Sequence, residues 1–146
     1  MRIAVLFIGA LLAVSGCGTE PSDTVDSEPS EAATTPAGPI TFDSVYDLRE
    51  EVEAYGFECT EWSINSETLN AIERAQCTSS VNFGIHEDAT EVQLSIETIA
   101  ELMTSIGSEM HFATGPNWSV LCGEDETLCS GLAEEFGGDL QSFLPE

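Results

Sequence analysis

Two histidines are the first candidates for chemistry in this chain of 146 residues. His86 and His111 are its only imidazoles, and a glutamate lies close to each, Glu87 and Glu109. A histidine beside a carboxylate can act as a general acid or base, or bind a metal ion. Both histidines alternate with apolar residues in predicted strands, so we expect them to lie on the surface. If they met on one face of a sheet, they could form a metal site or an acid/base pair.

Motifs of the common catalytic classes do not occur. The chain contains no G-x-S-x-G elbow, no phosphate-binding glycine loop, no H-E-x-x-H pair and no C-x-x-C motif. Carboxylate pairs are uninformative, because among 27 acidic residues some pair will lie at glycosidase spacing by chance. We therefore predict no catalytic residue, no cofactor and no metal site.

Four cysteines of the C-terminal part form an even set: Cys59, Cys77, Cys122 and Cys129. They permit three pairings. Local pairing is geometrically easiest, so we predict the disulfides Cys59–Cys77 and Cys122–Cys129. Each closed loop would contribute roughly 2.5 to 3 kcal/mol of stability. A zinc site is disfavoured, because the gap between Cys122 and Cys129 exceeds the usual spacing of ligands.

Charge is the strongest compositional signal. The 27 acidic residues face three arginines and no lysine, for a formal net charge of −24. Such a surface repels nucleic acid and anionic polymers, so nucleic-acid binding is excluded. We interpret the acidity mainly as a solvated surface, with capture of cations or of a basic partner as the functional alternative. The acidic stretch 123–126 lacks the alternating carboxylates of a calcium loop.

Five aromatic residues could line a pocket for a sugar or a peptide. Aromatic side chains of a small domain more often belong to the core, and we expect that role here. The five are Tyr46, Tyr55, Phe57, Trp62 and Trp118.

Two helices are predicted from apolar residues at helical spacing. The first begins at Thr41 or Asp43 and ends at Gly56, and the second begins at Asp88 and ends at Gly107. Their apolar faces are Val45, Leu48, Val52 and Tyr55 in the first helix, and Val92, Ile96, Ile99, Met103 and Ile106 in the second.

Alternating residues predict two hairpins and a last helix. Segment 69–77 pairs with 81–85, and segment 109–113 pairs with 118–122. Residues 125–138 form a short C-terminal helix. This order predicts a single α+β domain over residues 40–146, a two-layer sandwich with about four antiparallel strands and helices packed on one face. A small all-helical bundle is the alternative, although the proline turn of the second hairpin argues against it.

The N-terminal segment 1–16 has the pattern of an export signal. Arg2 precedes an apolar run over 3–14, which is too short to span a bilayer. With Val14-Ser15-Gly16-Cys17 it resembles a bacterial lipoprotein signal. The resemblance implies cleavage before Cys17, a diacylglyceryl thioether on its sulfur, and two or three fatty chains in all. Lipidation of Cys17 also accounts for the odd number of cysteines, five in total.

Residues 17–39 are predicted to be the lipidated cysteine and a disordered tether. The stretch after the cysteine is rich in proline, serine, threonine and acidic residues and lacks any aromatic or basic residue. Such a composition buries too little apolar surface to fold. As a flexible coil it would span roughly 25 Å. The tether could accept sugars or remain unmodified.

Thr114-Gly115-Pro116-Asn117-Trp118 and the spacing of Cys59 and Cys77 are similar to small lipoproteins of high-G+C Gram-positive bacteria. This similarity implies no particular activity. We predict a monomeric lipoprotein on the extracytoplasmic side of the cell membrane, a non-catalytic binding or accessory module for an envelope protein or a small ligand. The alternative is an envelope hydrolase or metal-dependent enzyme that uses His86 and His111 with carboxylates.

Overall fold

A computed structural model describes residues 38–67 and 69–145. The predicted signal, Cys17 and most of the tether lie outside the described residues. The described part is α+β, as predicted. Its helices are α1 (Val45–Tyr55), α2 (Ala89–Thr104) and α3 (Glu126–Glu135), and its strands are β1 (Ser63–Asn65), β2 (Glu73–Gln76), β3 (Asn82–Ile85), β4 (Met110–Thr114), β5 (Trp118–Leu121) and β6 (Asp139–Phe143).

The strands form one open antiparallel sheet in the order β1-β2-β3-β5-β4-β6. Both predicted hairpins are present, β2 with β3 and β4 with β5. The prediction of about four strands is wrong, because β1 and β6 add an edge strand on each side. Neither edge strand has the alternation of a half-buried strand. β1 has three residues and no fully buried one, and β6 is mostly polar, so both depend on backbone pairing with a neighbour.

The helix ends follow local capping chemistry. Asp88 caps α2 by accepting hydrogen bonds from the backbone N–H groups of Thr90 and Glu91, as predicted. Gly56 ends α1 in the left-handed conformation, with φ of 111°. Ser44 caps α1 in place of the expected Thr41 or Asp43.

The second helix is shorter than its apolar pattern predicts. It ends at Thr104, three residues before Gly107, and the chain then turns away. Ile106 consequently lies outside the helix and is 68% exposed, although the pattern assigned it to the buried face.

Helices cover both faces of the sheet, so the predicted packing on one face is not confirmed. Successive side chains of a strand point to opposite faces. On β4, Phe112 belongs to a core cluster with Val92 and Ile96 of α2, whereas Ala113 belongs to the cluster beneath α1 and α3. The molecule therefore has three layers, with α2 on one side and α1 and α3 on the other.

An aromatic cluster fastens the start of the domain to the sheet. The rings of Phe42, Trp118 and Phe136 meet edge to face, with centroids 5.6 to 5.9 Å apart. The indole N–H of Trp118 donates to the carbonyl of Ile40, 2.8 Å away, and the side chain of Asn117 bonds both the N–H and the carbonyl of Phe42. Residues 40–42 are thus held at the end of the sheet where β5 begins.

Two disulfides have the predicted pairing. Cys59 bonds Cys77 and ties the segment after α1 to the end of β2, and Cys122 bonds Cys129 and ties the end of β5 to α3. All four of these cysteines are buried.

Candidate functional site

Both histidines are buried, so the prediction that they lie on the surface is wrong. Each is only 2% exposed. The alternation correctly placed them on the faces opposite their apolar neighbours. The prediction of exposure was wrong because those faces are also covered by other parts of the chain. Alternation shows which residues share a face of the sheet, but it does not show whether that face is buried or exposed to solvent.

His86 bridges a loop and a strand. Its Nδ1 lies 3.1 Å from the carbonyl oxygen of Asn70, and its Nε2 lies 3.0 Å from the hydroxyl oxygen of Ser119. Because a carbonyl only accepts, Nδ1 carries the proton and Nε2 accepts the hydrogen bond from Ser119. Gly84 makes room for this pair, since a Cβ there would lie 2.9 Å from both Nε2 and the Ser119 hydroxyl.

Burial lowers the pKa of His86 below its usual value of about 6.5. The charge of Arg74 lowers this pKa further, whereas the hydrogen bond to the carbonyl of Asn70 and the charge of Glu91 oppose the shift. The folded domain therefore favours the neutral imidazole, which fits a side chain that accepts a hydrogen bond through its bare nitrogen.

Acid is expected to weaken the domain through His86. Its contribution to stability is complete above the unfolded pKa of about 6.5 and is lost as the pH falls from there to the lowered folded pKa, because only the unfolded chain then takes up the proton. For this single group, the free energy of unfolding cannot change by more than about 1.4 kcal/mol per pH unit. Urea unfolding of wild type and His86→Gln between pH 7.5 and 5 measures it, and the variant should show the shallower dependence.

His111→Gln is the matched control for this effect, because it removes the other buried histidine and leaves the surroundings of His86 intact. Identical pH profiles for wild type and His86→Gln would contradict the expected role of His86.

His111 joins two strands at the other end of the sheet. Its Nδ1 lies 2.8 Å from the hydroxyl oxygen of Ser142 on β6, and its Nε2 lies 3.1 Å from Oε1 of Glu109. The carboxylate only accepts, so Nε2–H donates to it, and in the tautomer with its proton on Nε2 alone Nδ1 accepts from Ser142. A hydroxyl, an imidazole and a carboxylate in a row can activate the hydroxyl as a nucleophile. Here the hydroxyl of Ser142 lies exposed on the edge strand β6, whereas His111 is buried on the interior strand β4 and Glu109 directly precedes that strand.

The two histidines do not meet. The N–H of His86 bonds the carbonyl of Asn117 at the start of β5, and the carbonyl of His111 accepts from the N–H of Cys122 just after its end. Five residues along a strand span roughly 16 Å. The rings also point to opposite faces, since Ser119 alternates with the core residue Trp118, whereas His111 alternates with Phe112. No group of three metal-binding side chains occurs in the part of the chain that the structure describes.

The aromatic residues divide between core and surface. Trp118 is fully buried, as expected. Trp62 is half-buried, between Tyr46 on one side, 5.7 Å away, and Phe83 on the other, 5.9 Å away, and the guanidinium of Arg49 lies 4.8 Å from its ring. Tyr46 is 55% exposed, contrary to the core role expected for it, because the face of α1 that bears it is open to solvent. Tyr55 at the end of α1 is 43% exposed, which also contradicts the core role expected for it, and Phe57 is half-buried.

An open cleft lies at one end of the sheet, where β5 ends and β4 begins. We call it the acidic cleft. Its volume is about 730 Å³, within the range of about 300 to 1,000 Å³ typical of ligand sites. The residues that line it are Ser79, Ser80, Asn82, Met103, Ser108, Glu109, Met110, Leu121, Cys122, Gly123, Glu124 and Asp125.

The acidic cleft combines an apolar floor with a negative rim. Met103, Met110 and Leu121 supply the apolar surface, and Glu109 and two acidic residues of the loop after β5 supply the charge. No lysine, arginine or histidine lines it. Sequence reasoning missed this site because its walls come from three stretches of the chain, within 79–82, 103–110 and 121–125, that only the fold brings together. The acidic run at 123–126 was the only signal of it.

Comparison with other proteins adds no assignment. No protein family, curated protein or solved structure matches this chain. Among the described residues, no helix has the length and apolar character needed to cross a membrane. The described residues therefore form an α+β domain with an open antiparallel sheet and the acidic cleft at one end of it.

Proposed function

We propose that this protein is a membrane-anchored lipoprotein whose folded domain is a non-catalytic binding module of the cell envelope. One observation carries the proposal: the signal pattern ends in Cys17, and the four other cysteines are paired with one another in the domain. An exported chain with five cysteines needs a use for the fifth. Acylation of Cys17 at the mature N-terminus supplies that use, and two fatty chains suffice for stable anchoring.

The geometry of the domain supports a binding role. The chain joins the domain beside Asn117 and Trp118, where residues 40–42 are held. The acidic cleft opens beside Cys122 and Gly123, at the opposite end of β5 and roughly 16 Å further along. The point where the chain enters the domain and the acidic cleft therefore lie at opposite ends of β5.

Anchoring through Cys17 is tested by substitution. Cys17→Ser removes the only sulfur at the cleavage position, so we expect loss of the lipid mass, and the protein should leave the membrane fraction once uncleaved chains are excluded. Mass spectrometry of the N-terminal peptide and fractionation of cells measure both. Ser15→Ala is the matched control, because a small residue there preserves the signal pattern. Retention of the serine variant at the membrane, or a bare sulfur in the natural protein, would overturn the placement.

The binding role is tested separately. Crosslinking of the full-length chain in intact cells, followed by isolation under denaturing conditions, should recover a reproducible partner or ligand. The recovery should be competed away by excess unlabelled protein. Repeated failure to recover any adduct would contradict a binding module while leaving the lipid anchor unaffected.

An envelope hydrolase is the second candidate, and the row of Ser142, His111 and Glu109 is the observation that favours it. A serine hydroxyl activated in this way should react with a fluorophosphonate probe, and Ser142→Ala should abolish the labelling. Absence of labelling in the natural protein would leave the row a structural link between β4 and β6. A metal-dependent enzyme built on both histidines has no support in the geometry, since the two rings lie far apart.

A further inference from the structure

We propose that the acidic cleft binds a short basic peptide segment, one that carries lysine or arginine between apolar side chains. This inference rests on the proposed binding function and names its site and the chemistry of its ligand. Four features of the cleft carry it: the apolar floor, the unbalanced carboxylates, the polar rim and the rigid frame.

The floor can take up apolar side chains. Met110 is buried, and Met103 and Leu121 are partly buried beside it. Methionine side chains are flexible and polarisable, so they adapt to apolar partners of different shape. An apolar surface of this kind, left open at the end of α2, gains from covering by leucine-like or aromatic side chains.

The rim attracts positive charge. Glu109, Glu124 and Asp125 lie around the opening, and the domain contacts of Glu109 and Asp125 each use one carboxylate oxygen, leaving the other for a ligand. The C-terminal end of α2, at Met103, adds the negative end of a helix dipole. Both arginines of the domain lie elsewhere, Arg49 over the ring of Trp62 and the other on β2. Without an internal cation, these carboxylates are complementary to a basic ligand.

The polar part of the rim suits a peptide backbone. Ser79, Ser80, Asn82 and Ser108 place hydroxyl and amide groups around the apolar floor. Such groups can both donate and accept hydrogen bonds, as a peptide backbone requires. A metal ion would bind the carboxylates but would make no contact with the apolar floor. A simple polyamine would bind the carboxylates but would leave much of the floor and many of the polar rim groups without a partner.

The cleft is held in shape before any ligand arrives. The disulfide Cys122–Cys129 ties one wall to α3, and Asp125 caps that helix by accepting from the N–H of Leu128. Gly123 turns the loop with φ of 61°, a conformation that L residues rarely adopt, close against Ser80. A preformed site loses less entropy on binding than a flexible one.

The test uses the full-length lipidated protein in discs of zwitterionic lipid, with empty discs to correct for partition of the probe. The probe is an N-acetylated, C-amidated tetrapeptide of alternating leucine and lysine, and binding is measured by calorimetry at two salt concentrations. We expect saturable binding to one site, weakened by salt. Replacing both lysines by glutamine, or both leucines by serine, should each reduce the affinity by about tenfold.

The variant that tests the site is the triple substitution Glu109→Gln, Glu124→Gln and Asp125→Asn, in which asparagine preserves the helix cap. It should weaken the peptide by about tenfold or more. The matched control removes the same charge from exposed positions outside the cleft, with Glu50→Gln, Glu51→Gln and Glu135→Gln. This control should bind as the natural protein does. A circular dichroism melt of each variant verifies that it is folded.

Three outcomes would overturn the inference. These are equal weakening by the two triple variants, equal binding of spermidine and the peptide, and no saturable binding at all. None of them bears on the proposed function, because crosslinking in cells would still recover a partner bound elsewhere. Conversely, failure of the crosslinking together with saturable peptide binding would leave the site standing and remove its envelope role.

Discussion

Replacing Trp118 with alanine is expected to cost about 3 to 5 kcal/mol of folding stability. Domains of this size are stable by about 5 to 15 kcal/mol in total, so the variant should be partly or wholly unfolded at 37 °C. The ring is fully buried, contacts Phe42 and Phe136, and its N–H holds the carbonyl of Ile40. Truncation leaves a cavity, removes one aromatic partner from each of Phe42 and Phe136, and leaves the carbonyl of Ile40 without the indole N–H.

Circular dichroism and urea unfolding of the full-length protein measure the loss. The other tryptophan supplies the control, because Trp62→Ala removes a ring of the same size that is half-buried at the surface, tilted against Tyr46 and beneath Arg49. Its cost should be clearly smaller. Equal losses for the two variants would contradict the central place that the structure assigns to Trp118.

Removal of the disulfide Cys59–Cys77, by alanine at both positions, is expected to lower the free energy of unfolding by about 3 kcal/mol. The bond closes a loop with a sequence separation of 18, so its absence returns considerable freedom to the unfolded chain. The bond between Cys122 and Cys129 has a separation of 7. Its removal should cost less, by roughly 0.8 kcal/mol in the same model.

Urea unfolding of both double variants under non-reducing conditions measures the difference, and the natural protein with reductant should approach the combined loss. The two variants also separate stability from binding. Loss of Cys122–Cys129 removes a bond in the wall of the acidic cleft, whereas neither Cys59 nor Cys77 lines the cleft. A double variant at Cys59 and Cys77 as stable as the natural protein would contradict the prediction.

Local chemistry explains the features that were predictable. The helix starting at Asp88 and the helix end at Gly56 depend on hydrogen bonds and backbone angles within a few residues. The Cys122–Cys129 pair is close in the chain, and the hairpin of β4 and β5 is set by the Gly115-Pro116-Asn117 turn. Each of these features can be predicted from residues that are close to one another in the chain.

The predictions were wrong where the structure of a segment depends on contacts with residues distant in the chain. β6 has few apolar residues and was missed, because its place depends on hydrogen bonds to β4 that follow from the position of α3. Tyr46 was expected in the core because aromatic residues of small domains usually are, and its helical position alone does not say which neighbours cover it.

The sequence by itself determined the α+β class, the helix ends at Gly56, Asp88 and Asp125, both disulfides and the strong negative charge, since these depend on composition and on contacts between near neighbours. Only the tertiary structure decided that both sheet faces are covered, that His86 and His111 are buried and apart, and that the acidic cleft exists. The physical reason is that burial and clefts are properties of surfaces brought together from distant segments. A residue pattern reports which side of an element is apolar, and the partner that covers the other side is set by packing.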